Sequence, residues 1–316
     1  MPPEVPAGKY PPVGAIIDYY LASAAKGPVT LEILDDQSQL VRRYASTDKP
    51  PSIEKIAGQH PIPMYWVRPT QILSAEAGMH RFVWNLHYPK PEALETEFPI
   101  SAISHDTPEY PLGARVLPGH YTVKLTVDGK SYTQPLAVKM DPRITTSVDD
   151  LRKQHDMEAG AVEGMNDSYA SLEQVQSVRA QLKDLTAKVG GNQKLFGGLA
   201  ALDKQCAELE GATQPGFLGT PPSGKQPENF STLNQHFSAI LAVADSADAA
   251  PTTQAEAAYR ELEDSSTMLR KRWSVLRERE ILDLNAELKK AGLSDIDPKK
   301  PLPEKPAGTS DGDDEP

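Results

Sequence analysis

Hydrophobic and polar residues alternate over short segments in the first 142 residues of the chain, which predicts β-strands. Successive side chains of a strand point to opposite faces, so each segment would bury one face only. The predicted strands cover residues 15–21, 29–34, 40–44, 63–67, 79–88, 120–127 and 131–140. Asp128-Gly129, between the last two, is typical of a tight hairpin. About seven strands without helical periodicity between them predict an Ig-like or fibronectin III-like antiparallel β-sandwich over 13–142.

After residue 143 the spacing of hydrophobic residues changes to steps of three and four, which is typical of amphipathic helices. The predicted helices cover residues 147–189, 192–210, 230–248 and 253–291. Two of the four are long, and each has an apolar stripe that must be covered. We therefore predict a helical bundle over 143–296, with the two long helices paired antiparallel and the short pair beside them.

The distribution of proline supports a boundary between the strands and the helices. Nineteen of the 29 prolines precede residue 143, and residues 143–210 contain none. Proline disrupts helix interiors because it lacks an N–H and clashes with the preceding turn. The Pro-rich segment 1–12 is predicted to be a linker. Residues 297–316 are poor in hydrophobic side chains and are predicted to form a disordered acidic tail.

Composition excludes several classes of protein. The formal net charge of −11 argues against nucleic acid as a partner, because an acidic chain repels phosphate backbones. One cysteine, Cys206, excludes an internal disulfide and any multi-cysteine zinc site. No apolar run reaches 18 residues, so no membrane span is expected, and the first residues lack the pattern of a signal peptide.

Candidate chemistry is sparse in the sequence. The acidic residues of the last helix alternate with arginine and lysine, which favours a solvated, ion-paired face. The histidines show no H-x-H or HExxH spacing and are interpreted as scattered, solvent-facing imidazoles; they are His60, His80, His87, His105, His120, His155 and His236. Cys206 is interpreted as a small buried hydrophobe. We therefore assign no catalytic, cofactor-binding or metal-binding residue and expect no cofactor.

Aromatic side chains in the strand region leave one further possibility open. Tyr65 and Trp66, together with Tyr44 and Tyr88, could form a platform on which sugar rings stack. Aromatic residues in a sandwich more often belong to the core, and Phe82 and Trp84 show the same pattern. A planar row of exposed rings would favour sugar binding.

Several segments together resemble a bacterial protein family. They are GAIIDYYL (14–21), LEILDDQSQLVRRY (31–44), AGMHRFVWNLHYP (77–89), LPGHYTVKLTVDGKSYTQPLAVKMDPR (117–143) and TSVDDLRKQ (146–154). In this order they resemble the carboxy-terminal region of large secreted glycosyl hydrolase-like proteins with neuraminidase-type BNR (Asp-box) repeats, similar to sortilin-type propeller proteins. The resemblance covers roughly residues 10–190, with a weaker match at 282–293.

The resemblance implies a functional context rather than a site. The family's propeller carries Asp-box repeats (S-x-D-x-G-x-T-W), and none occurs here, so no propeller residue maps onto this chain. We therefore expect a fragment or separate module. It would be a non-catalytic accessory module of a secreted or periplasmic parent, partnered by the missing propeller or another protein. Two alternatives are a hydrolase of glycosidic bonds with a site at the sandwich–bundle junction, and a carbohydrate-binding sandwich.

Overall fold

The computed structural model describes residues 11–57, 62–99, 103–211 and 227–302, and the chain forms two compact units within it. The first unit contains the residues up to Glu163 together with Ser238–Tyr259. The second contains Gly164–Phe237 and the residues from Arg260 onward. Most of the predicted linker, the connection 212–226 and the end of the predicted tail, 303–316, lie outside the described residues.

Six strands in the first unit form two antiparallel sheets. The strands are β1 (Ala15–Leu21), β2 (Thr30–Leu34), β3 (Leu40–Ala45), β4 (Gly78–Trp84), β5 (Gly119–Val127) and β6 (Lys130–Val138). β1 pairs with β4, and the other four follow the order β3-β2-β5-β6. Asp128 and Gly129 join β5 to β6 with positive φ angles of 49° and 78°, as a tight hairpin requires. The prediction of antiparallel sheets followed by helices is confirmed.

One hydrophobic core is shared by both sheets. Leu31 and Ile33 of β2 are fully buried, and the residues that alternate with them along the strand are half-buried, so the predicted alternation is observed. Phe82 and Trp84 of β4 belong to the same cluster as Tyr121 of β5. The Trp84 and Tyr121 rings meet nearly edge to face, with centroids 5.7 Å apart. This cluster is therefore the core that holds the two sheets together.

Two strand predictions differ from the structure. Residues 63–67 form a 3₁₀ turn, Met64–Trp66, which follows Pro63 and closes with a bond from the N–H of Val67 to the carbonyl of Met64. The predicted strand 79–88 ends at Trp84 because Leu86 adopts a φ of 62°, which an extended strand does not allow. The left-handed residue turns the chain so that the carbonyl of His87 accepts the indole N–H of Trp84.

The four predicted helices lie close to their predicted positions, although a π-helical turn interrupts the last of them, and a further short helix, Ile53–Ala57, was not predicted. In chain order the helices are α1 (Ile53–Ala57), α2 (Val148–Thr186), α3 (Gln193–Glu210), α4 (Phe230–Ala244), α5 (Thr253–Val275) and α6 (Ile281–Lys290). A π-helical turn, Leu276–Glu280, joins α5 to α6. The Ser147 hydroxyl accepts the N–H of Asp150 and caps α2, the local bond that a serine three residues before an acid favours.

The predicted antiparallel pairing of the long helices is wrong in the second unit. Asp167 of α2 pairs with Arg270 of α5, and one heptad further along Gln174 accepts a bond from Arg277. The two helices therefore run in the same direction. The helix α3 runs in the opposite direction to α2, because Gln176 of α2 contacts Glu210, at the end of α3, whereas Arg179, further along α2, contacts the earlier Asp203. The sequence prediction failed because a stripe of hydrophobic residues specifies that a helix face is covered, not the direction of the helix that covers it.

Residues just after α6 are hydrogen-bonded to α2 in the second unit. Asp297 exchanges two bonds with the Gln181 side chain, at 2.8 and 3.0 Å, and the Ser177 hydroxyl donates to the carbonyl of Lys300. Ile296 is buried beside them. The first residues of the segment predicted to be a tail, Asp297 and Lys300, therefore contact α2.

Replacing Gly164 by alanine should destabilise the second unit by about 2 kcal/mol, because the site has no room for a methyl group. A Cβ at this position in α2 would lie 2.6 Å from the ring of Phe237, which is itself buried and cannot move aside. Gly197→Ala in α3 is the matched control, since nothing lies within 4 Å of its Cβ position. The control should stabilise the helix by up to about 1 kcal/mol. Urea melts that give both variants the same midpoint would contradict the packing described here.

Candidate functional site

The first unit brings polar residues from three parts of the chain together around Arg115. Arg115 lies just before β5 and forms an isolated antiparallel bridge with His87. The remaining members come from the amino-terminal part of α2 and from the residues that directly follow α4. The cluster, which we call the Arg115 cluster, contains His87, Arg115, Gln154, His155, Glu158, Asp245 and Asp248.

The Arg115 guanidinium binds two carboxylates. It donates to Asp245 Oδ1 at 2.6 Å and to Asp248 Oδ1 at 2.9 Å. Burial alone would lower the pKa of Arg115, but the neighbouring carboxylates outweigh it and the pKa is raised. Burial likewise acts to raise the pKa of Asp245, whereas His87 and Arg115 lower it, and the net direction is downward. Both groups therefore stay charged at neutral pH and form a partly buried ion pair.

Glu158 is the most deeply buried acid of the cluster, with 1% of the residue exposed. Its Oε2 accepts the backbone N–H of Arg115 at 2.7 Å, and its Oε1 accepts the Gln154 side-chain amide at 3.0 Å. Gln154 also donates to the carbonyl of Ala244 at the end of α4. Burial raises the pKa of Glu158 although these two donors favour its charged form. Both carboxylate oxygens are thus engaged by groups of the chain itself.

Two histidines complete the cluster. His155 Nδ1 lies 2.7 Å from the carbonyl of Arg115, and its ring packs on Tyr88. His87 is buried, with Nδ1 2.6 Å from the carbonyl of Asn85 and Nε2 3.9 Å from Asp245 Oδ1. Its Nε2 has no hydrogen-bond partner among the described residues. The expectation that the histidines face solvent is therefore wrong for His87.

A small cleft borders the Arg115 cluster. Its walls include Leu86, Met140 and Leu151 together with members of the cluster, and its volume is about 190 Å³. Pockets that hold small-molecule ligands usually have volumes of roughly 300–1,000 Å³. The cleft is therefore small for a sugar substrate.

The other candidates from the sequence do not converge on a site. Cys206 is buried, and burial raises its pKa to about 12, so the thiol stays protonated and unreactive. Glu287 forms ion pairs with Lys194 and Lys290, as expected of an ion-paired face, whereas Glu280 accepts a hydrogen bond from the neutral amide of Gln205. His236 pairs with Glu228, and His60 lies outside the described residues. Within the described ranges no three His, Cys, Asp or Glu side chains are placed to hold a metal ion.

The four aromatic residues considered for sugar stacking do not lie in one plane. Tyr65 is exposed, but its ring stands at 83° to that of Trp66. Tyr44 packs against Phe82, and Tyr88 packs against His155. Because sugar stacking needs faces that are open and roughly parallel, these contacts do not build the planar row that the carbohydrate hypothesis requires.

The acidic members of the Arg115 cluster were not candidates from the sequence. Arg115 and Glu158 are 43 positions apart, and Arg115 and Asp245 are 130 apart. Glu158 occupies a position on the inward face of α2, between the buried Leu151 and Met165. An acid on a stripe that is otherwise apolar is the one signal that could have identified it.

Comparison with known proteins gives no relative for this chain. No protein-family model, no curated protein and no solved structure matches it. In the part of the chain that the structure describes, no helix has both the length and the apolar character that crossing a bilayer requires.

Proposed function

We propose that the chain is a non-catalytic accessory module that binds another protein domain. One observation carries the proposal: the carboxylates of the Arg115 cluster already accept hydrogen bonds from other groups of the same chain. A general acid needs a carboxyl that can reach the substrate. Glu158 instead holds the backbone of Arg115, and Asp245 and Asp248 hold its guanidinium. The cluster therefore links the strands of the first unit to its helices through hydrogen bonds and ion pairs, which is a structural role.

The finer architecture that we propose is an Ig-like or fibronectin III-like sandwich followed by a bundle with two long helices. The six antiparallel strands with a shared core, the 39 residues of α2 and the near-continuous helical run from Thr253 to Lys290 support it. The sequence resemblance to secreted BNR-repeat, sortilin-like proteins supports a role beside a propeller. The parent would then be a secreted or periplasmic glycosyl hydrolase-like protein.

The outer face of the β1–β4 sheet is the surface that we propose for the partner. Tyr20 lies opposite Met79, and both are about 70% exposed, at 68% and 72%. Ile16 lies further along the same face, which places exposed apolar residues on either side of the Asp18–Arg81 ion pair. Aromatic and methionine side chains are enriched where proteins bind one another.

A glycosidase assay tests the non-catalytic assignment. We expect the purified chain to hydrolyse none of a panel of aryl glycosides, and Glu158→Gln to change stability rather than activity. The variant should lose about 1–2 kcal/mol, because the new amide places a donor against a buried donor. Turnover by the wild-type chain that Glu158→Gln abolishes, while circular dichroism shows an intact fold, would establish the hydrolase alternative instead.

Co-elution tests the partner assignment. The genomic DNA upstream of Met1 should encode Asp-box repeats, and the polypeptide they encode should elute with this chain in size-exclusion chromatography. Tyr20→Lys should abolish co-elution. Tyr132→Lys, at an exposed position on β6, should leave it unchanged. Absence of such repeats upstream, or equal co-elution of both variants, would contradict a propeller partner.

A further inference from the structure

A second, larger groove lies in the first unit, away from the Arg115 cluster. Its volume is about 430 Å³, which is within the range of ligand pockets. One wall is the inner side of β3, and the opposite wall is formed by residues around 67–71 and 105–112. Apolar lining comes from Tyr44, Val67, Phe82 and Leu112. The groove can therefore accommodate a molecule with an apolar or aromatic body.

The cations that line this groove differ in how they are neutralised. Arg68 donates to the Asp106 carboxylate at 2.7 Å, and Lys90 lies 3.2 Å from the Glu109 carboxylate. Arg42 has no carboxylate within ion-pair distance among the described residues. Among these three cations, only the positive charge of Arg42 is not neutralised by a carboxylate of the described residues.

The fold places the Arg42 side chain on the inner side of β3. Arg42 and Tyr44 are two positions apart on the strand and share a face. Their cross-strand partners, Ile33 and Leu31, are fully buried. The Arg42 guanidinium carbon lies 5.2 Å from the centre of the Tyr44 ring, a cation–π contact. Its Nε–H is buried and has no acceptor among the described residues, so the head group has unused hydrogen-bonding capacity.

We propose that this groove binds a small organic carboxylate with an apolar or aromatic body, with the carboxylate on Arg42. A guanidinium presents a planar fork of N–H donors that matches the two oxygens of a carboxylate. The partly dry wall formed by Tyr44 and Phe82 strengthens such a charge-assisted bond, since the contact is less screened there than in water. This proposal does not depend on the accessory-module assignment, because the groove and the β1–β4 outer face involve different residues.

Titration with benzoate and with benzamide, its neutral isostere, tests the proposal. In two-dimensional ¹H–¹⁵N spectra the Arg42 Nε–H signal is identified by its absence from the Arg42→Gln spectrum. Benzoate should shift this signal saturably, whereas benzamide should not. Arg42→Gln should weaken benzoate binding, followed through the backbone signals, by at least about tenfold, the usual effect of losing one charged hydrogen bond.

Arg43→Gln is the matched control, because Arg43 is the next residue on β3 and is exposed. It should bind benzoate as the wild-type chain does. Arg42→Lys keeps the charge without the fork and should bind with intermediate affinity, which gives a second measure if Arg42→Gln is unstable. Equal responses to benzoate and benzamide, or no saturable response in the wild-type chain, would overturn the proposal. Arg42 would then be an inward charge that protects the edge strand from pairing with other chains.

Discussion

Replacing Trp84 by alanine should lower the free energy of unfolding by about 3–5 kcal/mol, the range measured for removal of a large buried aromatic side chain. Trp84 is 0% exposed and belongs to the core that both sheets share. The substitution removes the edge-to-face contact with Tyr121 and leaves a cavity between the sheets. It also leaves the carbonyl of His87 without the indole N–H that it accepts. Urea unfolding followed by circular dichroism measures the loss without relying on the fluorescence of the deleted residue.

Tyr132→Ala is the control for this prediction. Tyr132 is also an aromatic residue on a strand of the first unit, but it is exposed. Removal of a surface side chain usually changes stability by about 0.5 kcal/mol or less. A loss below about 1 kcal/mol for Trp84→Ala, or equal losses for both variants, would mean that Trp84 does not fill the core.

Replacing Arg115 by leucine should cost about 3 kcal/mol at neutral pH, the lower end of the range for breaking a buried ion pair. The lower end applies because 37% of the Arg115 side chain is still exposed, whereas Asp245 is only 15% exposed. Without the guanidinium, Asp245 stays charged in a largely dry place and Asp248 loses its partner. Chemical denaturation at several pH values measures both the size of the loss and its origin.

The cost of Arg115→Leu should shrink as the pH falls from 7 toward 4. In the wild-type chain the pKa of Asp245 is lowered on folding, so its contribution is present above its ordinary pKa of 3.8 and is lost on acidification. In the variant, Arg115 no longer opposes the effect of burial on Asp245, so the pKa of Asp245 should rise. Protonation of its carboxylate should then remove the energetic cost of a buried, unpaired charge. The second effect brings the two proteins closer between pH 7 and 4, and the first adds to it only below pH 3.8. A cost that is independent of pH would show that lost packing, not lost charge pairing, causes the destabilisation.

Arg81→Leu provides the matched control for charge pairing. Arg81 forms two hydrogen bonds with Asp18 across β4 and β1, but its side chain is 61% exposed. Such exposed pairs contribute about 0–1 kcal/mol because water already solvates both partners. If Arg81→Leu proves as costly as Arg115→Leu, burial is not what distinguishes the Arg115 cluster from a surface ion pair.

The sequence by itself determined the elements whose signals are local. Alternation over 29–34 and 120–127, the Asp128-Gly129 turn and the cap at Ser147 each depend on residues within one element or its neighbour. The steps of three and four residues likewise identified all four main helices. These patterns predict secondary structure well because strand pleat, turn dihedrals and helix caps are set by nearby backbone geometry.

Only the tertiary structure decided which elements meet and in which direction. The parallel course of α2 and α5 depends on where α3 and α4 turn back, which no stripe of hydrophobic residues encodes. The same holds for the Arg115 cluster, whose members come from a bridge before β5, the start of α2 and the end of α4. Arg42 illustrates both levels. Its place on β3 follows from period two, but that no carboxylate of the described residues pairs with it depends on Asp106 and Glu109 having paired with Arg68 and Lys90. Burial and charge pairing are decided by neighbours distant in sequence, and only the folded chain brings those neighbours together.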